Sequence, residues 1–442
     1  MNSFPLVGRG ITRSSILEIR GHFQIPRRLG EPQPSKCNHP CPRLARNCSR
    51  VYSRRSLTGC VLSWQQSTVR NGQGCSGIVS DGVRLRGSLY ISRMFDPLRP
   101  ALVLAPMEGV TDAPMRALQG EAGTFTYAVA EFLRVASTVP SANSITRHVP
   151  ELLSQGRTIT GLPVQIQLLG GDPGRMAETA AIAHAQGASA IDLNFGCPAR
   201  TVNRHDGGAA LLKDPPRIRA VVAAVRAALP SHVAVSAKLR LGWDRIDTID
   251  ETASMAAEGG AAWLTIHGRT RSAGYSPPIY WEPIGRVRSR LGIPIVANGD
   301  IWTIDDFRRC QGDTGCIHFM IGRGALADPS LPWKIASELG LPRNGDNSPP
   351  KCPDSWHARI SRLVEWTGRF PAEREQKLVG RIKQWLALAA RHGDFTAFDD
   401  IKRASTVDEL LRKLASSDTS TGPAATILDK ATWNQTFTNA SC

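Results

Sequence analysis

The chain has 442 residues, 41% of them hydrophobic, enough for a folded body with a large core and more than one domain. No run of 18 or more residues is apolar throughout, so no membrane-spanning helix is expected. The net charge is +16, but residues 1–93 hold 15 Lys and Arg against 3 Asp and Glu and the remainder 39 against 35, so charge alone does not mark the main body as a nucleic-acid binder.

Residues 1–93 lack sustained period-2 or period-3.6 patterning and are rich in Arg, Ser, Gly and Pro. A disordered basic extension is expected there. No charged start leads into an apolar stretch with a cleavage site, which argues against a secretory signal. The Arg/Ser-rich, acid-poor composition suits a mitochondrial transit peptide, but so much Pro, Gly and Cys makes a poor amphipathic helix, and a cytoplasmic location is expected. Met94 is a candidate start, because the ordered pattern begins after it. Cys37, Cys41, Cys48, Cys60 and Cys75 have neither paired zinc spacing nor a disulfide framework and read as thiols in a reducing compartment.

From Leu102 short apolar runs recur: "LVLAPME" (102–108), "YAVAEF" (127–132), "PVQIQLLG" (163–170), "SAIDLNFG" (189–196), "VAVSAKLR" (233–240), "AAWLTIHG" (261–268), "IPIVANGD" (293–300) and "CIHFMIGRG" (316–324). The intervals 175–188, 216–229 and 249–261 have helical spacing. Strand alternating with helix eight times predicts an α/β fold, a (β/α)8 TIM barrel over residues 100–334. An open doubly wound sheet would want a Gly-rich turn after the first strand, where "APMEGVTDAP" offers one glycine. The runs end in Glu108, Glu131, Gln167, Asn194, Lys238, His267, Asn298 with Asp300, and Arg323, which a barrel gathers on its catalytic rim. Segments 358–370, 381–393 and 407–417 have helical spacing with basic residues interleaved, predicting a small C-terminal helical domain over 335–416 and a flexible tail over 417–442.

Gln167, Asn194, Lys238 and His267 offer donors and acceptors suited to a flavin ring, with the lysine placed to balance an anionic reduced form. "NGDIW" (298–302) and "IGRGAL" (321–326) follow the seventh and eighth strands, where barrels bind phosphate, and Arg323 adds a bidentate cation.

The motifs "LAPMEGVTD", "LNFGCPARTVNRHDGGAALL", "KLRLGWD", "IHGRTRSAGY", "IPIVANGDI" and "MIGRGAL" occur in order over residues 100–335. They resemble the tRNA-dihydrouridine synthase family. "RLGWD", "HGRTRSAGY" and "RIKQWL" are similar to its bacterial branch acting on uridine 16 of the D-loop. The resemblance implies reduction of the C5=C6 bond of a tRNA uridine, with FMN as cofactor and NADPH or NADH as reductant. It carries Pro106, Met107 and Glu108 onto the segment lining FMN, and Gln167, Lys238 and His267 onto positions around the flavin ring. Asn298, Gly299, Asp300, Gly322 and Arg323 match the FMN phosphate site, although this branch usually has Glu at position 300. Arg134, Asn194, Tyr275, Arg381, Lys383 and Arg403 match positions that touch tRNA. Cys197 matches the catalytic acid. A thiol of ordinary pKa is protonated at neutral pH and can deliver a proton to C5. Gly196 and Pro198 shape its turn, Gly207 and Gly208 let the loop fold over substrate, and Arg200, Arg204 and His205 face phosphates. The base must be turned out of its stack, so a second surface is needed for the tRNA body, and the basic C-terminal helices fit that role. A monomer without protein partners or metal is expected. Two rival readings are a flavin barrel acting on a small pyrimidine, as in dihydroorotate-type dehydrogenases, and a non-catalytic RNA-binding protein.

Overall fold

The structure, a computed structural model, describes residues 94–341, 355–371 and 374–418. The expectations for residues 1–93 and for the tail beyond residue 418 lie outside the described residues. Eight parallel strands pair in sequence order, and the last closes on the first. They are β1 (Ala101–Leu104), β2 (Tyr127–Arg134), β3 (Val164–Leu169), β4 (Ala190–Asn194), β5 (Ala234–Arg240), β6 (Trp263–His267), β7 (Ile295–Asn298) and β8 (His318–Ile321). All eight predicted runs are strands, and the open-sheet alternative is excluded by the closure.

The connections are α1 (Ala113–Gly120), α2 (Ala142–His148), α3 (Pro173–Ala185), a short α4 (Arg200–Asn203), α5 (Pro215–Ala227), α6 (Ile249–Glu258), α7 (Glu282–Arg290) and α8 (Ile304–Thr314). Helix starts follow local chemistry. Asp112, Asp172 and Asp214 each accept a hydrogen bond from the backbone three residues on, with Pro at the first or second helical position, which satisfies a donor the helix leaves unpaired. Thr303 and Asp306 form a reciprocal capping box for α8.

Strand alternation sorts two apolar sets. Leu102, Leu104, Ile166, Leu168, Ile191, Leu193, Val235, Ala237 and Leu239 belong to the large core between sheet and helices. Ala101, Val103, Tyr127, Val129, Ala190, Ala234, Trp263, Val296 and Met320 face the barrel interior. Phe95 closes that interior, 4.7 Å ring to ring from both Trp263 and His318 and edge-on to Tyr127 at 6.2 Å. Farther along the strands the interior turns polar: Gln165 and Gln167, Asp192 and Asn194, Ser236 and Arg240, Thr265 and His267 are buried.

After β8 come α9 (Arg323–Ala327), α10 (Leu331–Glu338), α11 (Trp356–Thr367), α12 (Glu375–His392), α13 (Phe398–Ile401) and α14 (Val407–Asp418). The helices α11, α12 and α14 share one apolar cluster with Val110, Met115 and Leu326 of the barrel body. Trp385 Nε1 donates to the Leu326 carbonyl at 2.8 Å, and Trp366 Nε1 to Glu121 Oε1 at 2.7 Å. These helices form a layer that covers apolar surface of α1 and α9. No helix among the described residues is long and apolar enough to cross a membrane.

Phe95 is 2% exposed, so truncating it leaves a cavity beneath the barrel interior. Phe95→Ala should cost about 3 kcal/mol, read as a lower urea midpoint at unchanged slope.

Candidate active site

One cavity opens at the C-terminal ends of the strands, where the polar interior meets the loops. Its wall includes Pro106, Met107, Asn194, Cys197, Lys238, Arg240, His267, Tyr275, Asn298, Gly299, Asp300, Gly322 and Arg323. Twelve of these thirteen were expected at the site. Arg240 was not, although it lies on the same face of β5 as Ser236 and Lys238, a signal readable in the alternation of "SAKLR". Trp302, at the end of "NGDIW", also reaches the wall, as do Gln384 and Leu388 from α12, which were not singled out as site residues.

Cys197 is 3% exposed and its backbone is held on every side. Asn194 Oδ1 accepts from the N–H groups of both Gly196 and Cys197 at 2.9 Å. The Cys197 carbonyl accepts from Asn203 Nδ2 at 2.9 Å and from the Ala209 N–H at 3.1 Å. Arg240 Nε donates to the Gly196 carbonyl at 2.8 Å. Gly208 has φ +58°, and a Cβ there would come within 3.0 Å of the Cys197 carbonyl oxygen, so this glycine lets the loop pack down onto the cysteine. Arg200, Arg204 and His205 follow on exposed surface.

Asn194 lines the cavity, yet its amide is used in bracing the loop: Oδ1 as above, and Nδ2 donates to Gln167 Oε1 at 2.8 Å. Gln167 is fully buried behind Asn194, not on the cavity wall, and its Nε2 donates to Asp192 Oδ2 at 2.7 Å. Asn298 likewise faces the cavity while its Nδ2 holds the Met320 carbonyl at 2.8 Å.

Positive charge dominates the wall. Lys238 is pushed down to about 8 by burial and by Arg240, with Asp192 and Cys197 pulling the other way. Burial, then Arg240, Lys238, Arg269 and Arg323, hold His267 well below the usual imidazole range, so it is neutral at pH 7. Arg240 also donates to the carbonyls of Thr270 and Gly274, at 3.0 and 2.7 Å, joining the cysteine loop to the loop after β6. Tyr275 sits between Arg240 and Arg323, with its ring centroid 5.1 and 4.4 Å from their guanidinium carbons.

Asp300 accepts from Arg323 at 2.7 Å and pairs with the fully buried Arg269. These two arginines hold its carboxyl below the ordinary range against the upward push of burial. Two guanidinium groups around one carboxylate leave a surplus positive charge beside the backbone of Gly299 and Gly322. Gly299 has φ +119°, and a Cβ would lie 2.6 Å from Ile279 Cδ1 and 3.2 Å from His267 Nε2. Two buried polar atoms here have no partner among the described residues, His267 Nδ1 and Arg269 Nη1. A cationic wall, a neutral imidazole with a spare nitrogen and a glycine-lined turn beside two arginines fit a flavin mononucleotide, whose phosphate is anionic and whose ring has acceptor edges.

Besides Gln167, five expected residues lie off the cavity wall. Glu108 is beside Glu131 and Lys377, off the cavity wall; burial and Glu108 together push Glu131 up to about 7. Arg134 is exposed and donates to the Thr201 carbonyl at 3.3 Å, on the loop that follows Cys197. Arg381 is 4% exposed, in an ion pair with Asp112 and bonded to Thr367 Oγ1, so it ties α12 to the start of α1 and presents no free surface to a phosphate. Arg403 is exposed after α13; Lys383, on α12, is half-buried. Among the described residues no group of three or more His, Cys, Asp and Glu is placed to hold a metal ion.

Residues 103–354 match the dihydrouridine synthase (Dus) family. The chain is 43% identical over 291 residues to the tRNA-dihydrouridine(16) synthase of Pseudomonas putida, spanning 66% of this chain and 88% of that one. It is 42% identical over 290 residues to the tRNA-dihydrouridine(16) synthase of Cupriavidus necator, with the same coverage. A solved old yellow enzyme homologue from Zymomonas mobilis is 16% identical with a TM-score of 0.37, over 57% of this chain and 94% of that one, a likeness too loose to inform function. Barrel closure, the braced thiol and the match over the whole strand-bearing region agree: the chain is an oxidoreductase and belongs to the dihydrouridine synthase family.

Proposed function

We propose that this chain reduces uridine 16 in the D-loop of tRNA to dihydrouridine, with FMN in the barrel mouth and NADPH or NADH restoring the reduced flavin. The observation that carries the reading is a braced thiol on the wall of the same cavity as Lys238, His267 and Arg323. When bound, the flavin supplies the hydride for C6 of the base. Every other demand falls on the chain. Cys197 donates its Sγ proton to C5, and the hydrogen bonds on its backbone hold the thiol at the wall. Lys238 and Arg240 balance negative charge, and neutral His267 offers a hydrogen bond without adding charge. Arg323 and the glycine turns at Gly299 and Gly322 receive the phosphate, with Asp300 holding Arg323 in place. Tyr275, steadied by two guanidinium groups, gives the turned-out base an aromatic face at the mouth. The exposed Arg134, Arg200, Arg204 and Arg403, with Lys383, meet backbone phosphates. A cytoplasmic location accords with Cys310 and Cys316, buried thiols outside any disulfide.

Cys197→Ala should lower dihydrouridine formation on unmodified tRNA by about 100-fold or more while the flavin absorbance stays; an unchanged rate moves the acid elsewhere. Lys238 is charged below pH about 8 and neutral above it. Flavin affinity, followed by fluorescence, should therefore decline as pH rises through that value, and Lys238→Ala should bind more weakly and lack that limb. Lys383→Ala and Arg403→Ala should raise KM for tRNA with kcat unchanged, each reducing the slope of log Kd against log salt by about one.

A further inference from the structure

Asp192 lies two residues before Asn194 on β4, is 2% exposed and is not on the cavity wall. Both its oxygens accept hydrogen bonds, Oδ1 from Ser236 Oγ at 2.5 Å and Oδ2 from Gln167 Nε2 at 2.7 Å. Ser236 Oγ itself accepts from Gln165 Nε2 at 2.9 Å, so its one proton is directed at Asp192. With Nε2 committed to the carboxylate, Gln167 turns Oε1 to Asn194 Nδ2. With Nδ2 committed, Asn194 turns Oδ1 to the N–H groups of Gly196 and Cys197. Each amide has one donating and one accepting end, so the row runs one way only, with the donor-only loop N–H groups at its near end and the acceptor-only carboxylate completing it at the far end.

We infer that Asp192 is a positioning residue for the proton donor: its carboxylate, acting through Gln167, fixes which end of the Asn194 amide meets the cysteine loop and so holds the backbone that presents Cys197. This rests on the reading of Cys197 as the acid. The alternative orientation of Asn194 would aim an NH2 group at two N–H donors and release the loop. Lys238 faces this row from β5, level with Asn194, and its charge favours the ionised Asp192 against the upward push of burial.

The test is backbone amide exchange at Gly196 and Cys197 in the full-length holoenzyme, with kcat and KM on tRNA measured in parallel. In Asp192→Asn the new NH2 group meets either Gln167 Nε2, a donor against a donor, or Ser236 Oγ, whose own proton then loses its acceptor. Exchange should rise on the order of 10-fold, with kcat falling by a similar factor and KM for tRNA nearly unchanged. In the double variant Asp192→Asn with Asn194→Asp, the two bonds through Gln167 are reversed and every group is satisfied, the carboxylate now accepting from both loop N–H groups and from Gln167. Exchange should return to the native rate. Ser236→Ala leaves Asp192 an acceptor and should leave exchange native. Native exchange in Asp192→Asn overturns the inference. So does a double variant that exchanges no slower or fails to fold, and so does a rise in Ser236→Ala equal to that in Asp192→Asn, which marks general loosening of the interior. Faster exchange with turnover intact supports the brace and overturns the role of Cys197 as the acid.

Discussion

Water does not hydrate the inside of a narrow closed sheet, so each polar side chain pointing inward must find its partner on an adjacent strand. The pairing register of this barrel supplies those partners. Asp192 is level with Gln167 on one side and Ser236 on the other. Asn194 is level with Lys238, and His267 with both Arg240 and Asn298. A slip of one residue between β4 and its neighbours would carry these groups into the apolar layer under the helices and leave them unpaired. Strand register and site geometry are therefore one constraint, and loop positions downstream inherit it. The loop after β4 is tied to Asn194 and Arg240, and through Arg240 to the loop after β6.

Charge is arranged by the same economy of space. Lys238, Arg240, Arg269 and Arg323 crowd one end of the barrel, with Asp300 accepting from two of them. Like charges held together in a partly desolvated wall raise one another's energy, and an anionic ligand relieves them. His267 answers the same field by staying neutral. By contrast Arg116 is fully buried, pairs bidentately with Glu151 at 2.8 Å and donates to the Thr111 carbonyl, so its charge is answered within the scaffold. Breaking such a pair by removing one partner strands the other, which makes it a structural commitment with no bearing on ligands.

Much of this was legible in the sequence. Apolar runs bounded by turns and helices announced all eight strands, and helical spacing announced α3, α5 and α6. The residues at strand ends were legible because alternation forces them inward and a barrel uses that rim. What was not legible is which end of a polar residue does which work. Gln167 and Asn194 read as ligand contacts from type and place alone, but the inward layer behind them, Asp192 and Ser236, consumes their hydrogen-bonding capacity. Arg381 read as a surface cation because "RIKQWL" has helical spacing, yet the face that bears it meets α1, a packing no local pattern encodes. Trp302 stacks on His392 of α12 at 3.7 Å, again through a contact far apart in sequence.

The covering helices reach the chemistry directly, since α12 sends Gln384 and Leu388 to the cavity while Trp385 and Arg381 anchor it to α9 and α1. Catalytic body and appendage are thus not interchangeable modules. A chimera that grafts the C-terminal helices of a relative onto this barrel would import a foreign piece of pocket wall. A workable graft must carry α1, α9 and α12 as a single heritable unit, and divergence within this family should show those three segments changing in concert.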